Sequence, residues 1–329
     1  MIQRRTLAAG LVMAHTARAQ TRRAAIGLLM PYPADDALLR RRVGALREAL
    51  DRLGWSSARG TVFEEHWTGD DPAAIRRAAE ALVRSGVDII VTTGSRVVPV
   101  VQRATAAIPI IFVGTSDPVG QGFVASMTRP GGNTTGFAQL ELRDGTSPMV
   151  GKQAELLREL LPGLRRLGLM FNPQNPAVTF HARSFAEISE KLGVAAALIP
   201  VAGPAEIEQA CAAFAGLPMP GAMVLPSDLT LLGQRDAVVA AMARHRLPAI
   251  YADESFVQMG GLASYAADRL ALFRRAAGYV DRILRGDRAG ELPVQMPTAY
   301  ALWLHLATAR QLGIEVPASL LARADEVME

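Results

Sequence analysis

The sequence predicts an α/β protein of two doubly wound, parallel-sheet lobes joined by a multi-strand hinge. Three observations predict it. The chain has 329 residues, too many for one compact core, and half of them are apolar. Apolar runs of strand length alternate with helical patterns, the signature of parallel strands buried on both faces by crossover helices. That alternation is spelled twice, as a degenerate internal repeat. Aromatic residues are only 5 % of the chain, so burial must come from many small aliphatic contacts.

The first residues read as an export signal. Arg4 and Arg5 make a basic start, residues 6–14 are mostly apolar, and Ala17-Arg18-Ala19 supplies a small-x-small cleavage pattern before Gln20. The apolar run is too short to span a membrane.

The first copy of the repeat opens at Arg22-Arg23, with the strand Ile26-Gly27-Leu28-Leu29 running into the turn Pro31-Tyr32-Pro33. Val43, Leu46, Leu50 and Leu53 recur at helical spacing, and Gly54 ends that helix. A short strand follows, and then Asp71-Pro72 starts a second helix, with proline in the first turn. Val87-Asp88-Ile89-Ile90-Val91 is the third strand and leads into Thr92-Thr93-Gly94-Ser95. The fourth, Ile108 to Val113, leads into Gly114-Thr115-Ser116-Asp117.

The second copy repeats each step. Leu167-Gly168-Leu169-Met170 follows Arg165-Arg166 and enters Asn172-Pro173-Gln174-Asn175-Pro176. Phe185, Ile188 and Leu192 form the helix that Gly193 closes, and Gly203-Pro204 starts the next. Ala222-Met223-Val224-Leu225 reaches Pro226-Ser227-Asp228, and Leu247-Pro248-Ala249-Ile250-Tyr251 reaches Ala252-Asp253-Glu254-Ser255. Beyond the repeat lie Gly261 to Tyr265, a helix from about residue 270 to 284, and a strand near Tyr300 to Leu304, which complete the lobes by crossing between them. The expected division is residues 1–19 as signal, 20–137 plus about 260–290 as one lobe, and 138–259 plus about 291–329 as the other.

Charge and cysteine content exclude several roles. Removing residues 1–19 takes Arg4, Arg5 and Arg18 from the 35 basic residues, leaving 32 against 31 acidic ones. A nearly neutral body gives no reason to expect a nucleic acid partner. Arg41-Arg42 and Arg274-Arg275 read as solvated helix faces. The single cysteine, Cys211, cannot form an internal disulfide and reads as a buried thiol. With no cysteine after the signal, a lipid anchor on the mature N-terminus has no acceptor, and a periplasmic, unanchored protein is expected.

Several stretches together are similar to the ABC-transporter substrate-binding family that includes the tryptophan- and tyrosine-binding proteins, within the type I periplasmic-binding fold. They are Ile108-Pro109-Ile110 through Gly114-Thr115-Ser116-Asp117-Pro118-Val119-Gly120, Arg129-Pro130-Gly131-Gly132-Asn133-Thr134-Thr135-Gly136, Asn172-Pro173 with Asn175-Pro176, and Leu247 to Tyr251. Gly260-Gly261-Leu262, Leu292-Pro293-Val294-Gln295 and the tail Leu320 to Val327 extend the match over the mature chain. The resemblance implies uptake of a small solute such as an amino acid or aromatic compound, an ABC permease in the inner membrane as partner, a monomeric state and no cofactor. Pro31-Tyr32-Pro33 and His305-Leu306-Ala307-Thr308 depart from the family pattern.

In open parallel sheets, ligands sit beyond the carboxyl ends of the strands, so the polar tips are the candidate site. A carboxylate suits the helix starts at Gly94-Ser95 and Thr115-Ser116-Asp117, with capping as the competing role of Ser95 and Asp117. Thr93 and Ser227 stand in the same polar loops. An ammonium group needs a poorly hydrated acid; Asp228 and Glu254 are the candidates, each able to serve instead as a cap or rim charge. Tyr32, Tyr251 and Tyr265 can stack on a flat ligand or pack in the core. Asn172 and Asn175 can hold polar groups or simply form turns.

Catalysis is not expected, because no nucleophile elbow, metal-binding helix or dinucleotide fingerprint is present and His66, His181, His245 and His305 are scattered. A two-lobed transcription regulator would need a helix-turn-helix before the first strand, where only the signal-like segment stands. A periplasmic ligand sensor presenting its closed form to a membrane receptor is the alternative to an importer component.

Overall fold

The computed structural model describes residues 23–139, 148–175 and 177–329, so the expected signal at residues 1–19 lies outside the described residues. Within them the two copies of the repeat fold as two sheets. In the first, β1 (Ala25–Met30), β2 (Val62–Trp67), β3 (Ile89–Thr93), β4 (Ile110–Thr115) and β5 (Thr134–Ala138) run parallel in the order β2-β1-β3-β4-β5. β3, β4 and β5 are buried throughout, as unbroken apolar runs covered on both faces should be.

The second sheet holds β6 (Arg166–Phe171), β7 (Ala195–Pro200), β8 (Gly221–Leu225), β9 (Ala249–Tyr251), β10 (Ala263–Ala267), β11 (Tyr300–His305) and β12 (Glu326–Met328). Their order, β12-β11-β10-β9-β8-β6-β7, repeats the first sheet's winding from β7 to β10. One pairing breaks the expected parallel pattern: β11 pairs antiparallel with β10, and β12 runs with β11. The chain leaves β10 at its carboxyl end, visits the first lobe and returns on that same side, so β11 must enter the sheet in the opposite direction.

That excursion is the helix Arg269–Leu284, started by Asp268, whose carboxylate accepts from the Ala271 N–H at 2.8 Å. It lies along the helix Ala37–Arg52, and its Leu272, Phe273 and Ala276 join Ile26, Leu28, Val43 and Leu46 in the first lobe's core. The sequence put the crossing near residue 260; the structure puts it at Asp268, because β10 stays in the second sheet. A third passage follows. Leu292 packs in the first core, and Gln295 is held by Gly136 and Ala138 through backbone bonds of 2.9 and 2.8 Å before the chain returns to β11. Arg275, expected on a solvated face, is half-buried, its guanidinium 5.3 Å over the Phe137 ring.

Candidate functional site

The carboxyl ends of β1, β3, β4 and β5 face those of β6, β8 and β9, and polar bonds join the two sets. Gln139, just past β5, donates from Nε2 to Ser227 Oγ at 2.8 Å. Arg235 reaches Asp36 at 2.8 Å, and the Thr230 hydroxyl donates to Asp70 at 3.0 Å. Arg42 of the helix Ala37–Arg52 reaches Asp253, past β9, at 2.7 Å. Gly94 completes the fit. Its φ of +85° is in the left-handed region, and a Cβ there would stand 2.5 Å from Cδ1 of Leu229 on the opposite lobe, so only hydrogen is accommodated. The lobes are closed.

Between the facing strand tips is a cavity of about 20 Å³. The first lobe contributes Gly94, Ser95, Arg96, Gly114, Ser116 and Gln139; the second contributes Asn175, Ser227, Asp228, Leu229 and Thr230; Arg269 enters from the crossing. A larger cavity of about 330 Å³ flanks it beside Arg42, Glu254, Tyr300 and Trp303. A wide groove of about 1000 Å³ runs past Arg166, Gly221 and Pro248. Those residues mark the amino ends of the second sheet's strands, the wrong end for a ligand in this architecture.

Beside the small cavity lies a buried ionic cluster. Asp253 accepts from Arg42 Nη2, from the Ser255 N–H at 3.1 Å and from the Ser255 hydroxyl at 2.7 Å, and Arg269 Nε stands 3.3 Å from it. Burial alone would raise its carboxyl, but the two guanidinium groups outweigh that and hold it below the usual carboxylate range. Burial likewise disfavours the charge on Arg42, and Asp253 with Glu254, 3.1 Å away, more than restores it. The Tyr32 hydroxyl sits in the same cluster without a hydrogen-bond partner among the described residues, and burial pushes its pKa up to about 12.

The structure gathers some of the sequence-predicted residues at the cavity and sends others elsewhere. Gly94, Ser95, Asn175, Ser227 and Asp228 line it. Asp228 is also a helix cap: its Oδ1 accepts from the N–H groups of Thr230 and Leu231, and its Oδ2 from Asn172 N–H and Asn175 Nδ2. Burial raises its pKa and those bonds oppose the rise. Ser95 caps no helix; its oxygen accepts from the Ser116 N–H at 3.3 Å, tying the β3 and β4 tips together.

Thr93, Thr115 and Asn172 support the tips. The Thr93 hydroxyl donates to Val113 O at 2.6 Å, Thr115 Oγ1 is buried without a partner among the described residues, and Asn172 Nδ2 donates to Thr230 Oγ1. Tyr32 and Glu254 belong to the ionic cluster. Asp117 does not line the cavity; with a φ of 36° it closes its own turn by accepting from the Gly120 N–H. Nor do two expected stacking residues. Tyr251 lies 4.6 Å from Phe256, the rings nearly parallel within the core, and Tyr265 stacks on Tyr300. Successive strand residues face opposite sides of a sheet; Tyr251 is buried in the core, and Tyr265 is half-buried against it.

The reading of residues missed Arg42, Gln139, Asp253 and Arg269. Arg42 was expected in solvent and is 1 % exposed. A signal existed: Arg42 precedes Val43 on the helix face that carries Leu39 and Leu46, so its Cα borders the apolar stripe. Asp253 stood in the recognised loop, but nothing in sequence separates it from Glu254.

A family model described as ABC transporter substrate binding protein matches residues 32–328. A tyrosine-binding protein of Clostridioides difficile is 23 % identical over 247 residues, 75 % of this chain and 69 % of that one. A conserved domain protein from Vibrio cholerae superposes with a TM-score of 0.84 at 25 % identity, covering 93 % of this chain and 100 % of its own. A Streptococcus pneumonia ABC domain in complex with L-Trp also gives 0.84, at 22 % identity and 93 % and 99 % coverage. A ligand-free, open substrate-binding protein from Clostridium difficile gives 0.68 at 20 % identity and the same coverages.

Proposed function

The chain belongs to the ABC transporter substrate-binding protein family, an extracytoplasmic family whose members bind small-molecule solutes and are not enzymes, and from that premise we propose that it closes its two lobes around one solute and delivers it to an ABC permease in the inner membrane. The observation that carries this reading is the closed cleft, in which polar side chains from both sets of strand tips bond to one another around a residual cavity. A ligand that bridges the lobes shifts the balance between open and closed forms by its differential affinity. The higher similarity to the tryptophan-bound relative than to the open, ligand-free one supports the same assignment of state.

The moving units are residues 23–137 with the helix Arg269–Leu284, and residues 148–267 with the segment from β11 onward. Gly94, Ser95, Asn175, Ser227 and Asp228 contact ligand, with Thr93, Thr115 and Asn172 holding the tips. The tyrosine and tryptophan in the relatives' names make amino acids and aromatic compounds the first solutes to test. Residues 1–19 act as a cleaved signal, and the mature protein is an unanchored periplasmic monomer. Among the described residues no helix is long and apolar enough to cross a membrane.

The test is X-ray scattering of residues 20–329, stripped of carried-over ligand, against a broad panel of small solutes. A saturable compaction with one compound, accompanied by a raised melting temperature, is the expected result. If no compound changes the scattering or the melting temperature, lobe closure around a solute is not what this protein does.

A further inference from the structure

The cavity at the lobe junction is built almost wholly from hydrogen-bonding groups. Among the described residues its only apolar side chain is that of Leu229, and no aromatic ring lines it. Tyr251 and Tyr265, the nearest aromatic candidates by sequence, are committed to ring stacks elsewhere. An indole or phenol ring pressed against Ser95, Ser116 and Ser227 would strip their water and return few hydrogen bonds, a net cost for each group so buried.

The acidic groups near the cavity are already engaged. Asp228 accepts from three backbone N–H groups and Asn175. Asp253 is shared by Arg42 and Arg269, and Glu254 is paired with Arg42. A ligand ammonium would have to break one of these arrangements. Arg96 is likewise paired, with Asp70 at 2.8 Å.

Two groups are left over. Arg269 uses Nε on Asp253 and Nη2 on Ser227, and its Nη1 lies 4.0 Å from where Gly114 would carry a Cβ, at the cavity wall, with no hydrogen-bond partner among the described residues. Gln139 spends both donor bonds of Nε2 on Ser116 and Ser227, leaving Oε1 buried with no donor among the described residues. One free guanidinium N–H and one unpaired neutral acceptor, set among hydroxyl groups, match an oxyanion and a hydroxyl on the same small molecule.

We infer that the solute taken by this cleft is a small hydroxylated carboxylate without an aromatic ring, its carboxylate on Arg269 and a hydroxyl donating to Gln139 Oε1. The inference rests on the solute-binding reading above and narrows its ligand. A site built to satisfy a ligand's hydroxyl rejects analogues that lack it, because its own buried groups are then left unpaired.

The test is titration calorimetry and melting of the ligand-stripped wild-type protein with lactate, glycerate, malate, tartrate and gluconate, beside alanine, tyrosine, tryptophan and erythritol. At least one hydroxy acid should bind saturably, and its methyl ester should bind at least tenfold more weakly. Arg269→Gln should weaken that acid about a hundredfold, and Arg269→Lys should recover part of the loss. The ester comparison uses the unaltered protein, so it stands even if an Arg269 variant folds poorly. Binding of tyrosine, tryptophan or alanine in place of the hydroxy acids overturns the inference and leaves the solute-binding reading intact, as does an ester that binds as well as its acid. If none of these compounds binds, the inference falls; the solute-binding reading falls with it only if the broad scattering panel is also silent.

Discussion

Replacing Asp253 with asparagine tests whether the buried ionic cluster latches the lobes or merely supports the second one. In the closed form Asp253 lies between Arg42 and Arg269, all three almost fully buried. Removing one partner of such a pair leaves an uncompensated buried charge, at a cost of about 3–5 kcal/mol. Arg42 belongs to the first lobe, so the cost applies only while the lobes are together; opening returns both guanidinium groups to water. At about 1.4 kcal/mol per factor of ten, even the lower figure moves the open-to-closed ratio by more than a hundredfold. Asp253→Asn should therefore show a larger radius of gyration than the parent by X-ray scattering, with ligand-free melting little changed. A variant that stays as compact as the parent but melts many degrees lower would refute the latch and assign Asp253 to the stability of its own lobe.

Gly94→Val should weaken solute binding at least tenfold by calorimetry, because the new side chain strikes Leu229 across the cleft and adds about 1–2 kcal/mol of left-handed backbone strain. His181 is buried, neither ring nitrogen has a partner among the described residues, and burial lowers its pKa to about 4. The unfolded chain takes up its proton near pH 6.5 and the folded chain does not, so stability is full above that pH and falls toward pH 4, by about 2 kcal/mol at pH 5. His181→Leu should flatten the difference in urea midpoint between pH 7 and pH 5. The Cys211 thiol is fully buried and pushed up to about 12 by burial, so it should resist a thiol reagent at pH 8 in the native protein and react completely in guanidinium.

The architecture was legible because it is written twice. Strand runs such as Ile26 to Leu29 and Leu167 to Met170 are apolar throughout, and each is followed by a helix that ends at a glycine, Gly54 or Gly193. Local pattern is enough for that. The antiparallel β11 was not legible, since its direction depends on which side the chain returns from, and no local residue encodes that. At the site, the tips that the repeat aligned supplied Gly94, Ser95, Asn175, Ser227 and Asp228. Arg42 and Arg269 were missed for one physical reason: each is a charge on a helix that packs over one sheet and is neutralised by a loop of the other. Charge pairing across a closed cleft leaves no periodicity to read. For Tyr251 and Tyr265 the sequence left ligand stacking and core packing both open, since position near a strand end does not say which face a ring takes.

The long excursion after β10 also bears on how the protein is made. A ribosome that has finished Gln139 has delivered all five strands of the first sheet, yet the helix that lies along Ala37–Arg52 is still some 130 residues from being translated, and Leu292 and Gln295 come later still. Until then the helix Ala37–Arg52 covers its share of that face, but the part under the late helix, around Val91, Ile111 and Val113, stays open. The amino-terminal half therefore lacks part of its apolar cover during synthesis, in contrast to proteins whose domains fold one after another as they emerge. Cutting the gene at the visible repeat boundary would separate the first sheet from Leu272, Phe273, Ala276 and Leu292, which complete its core.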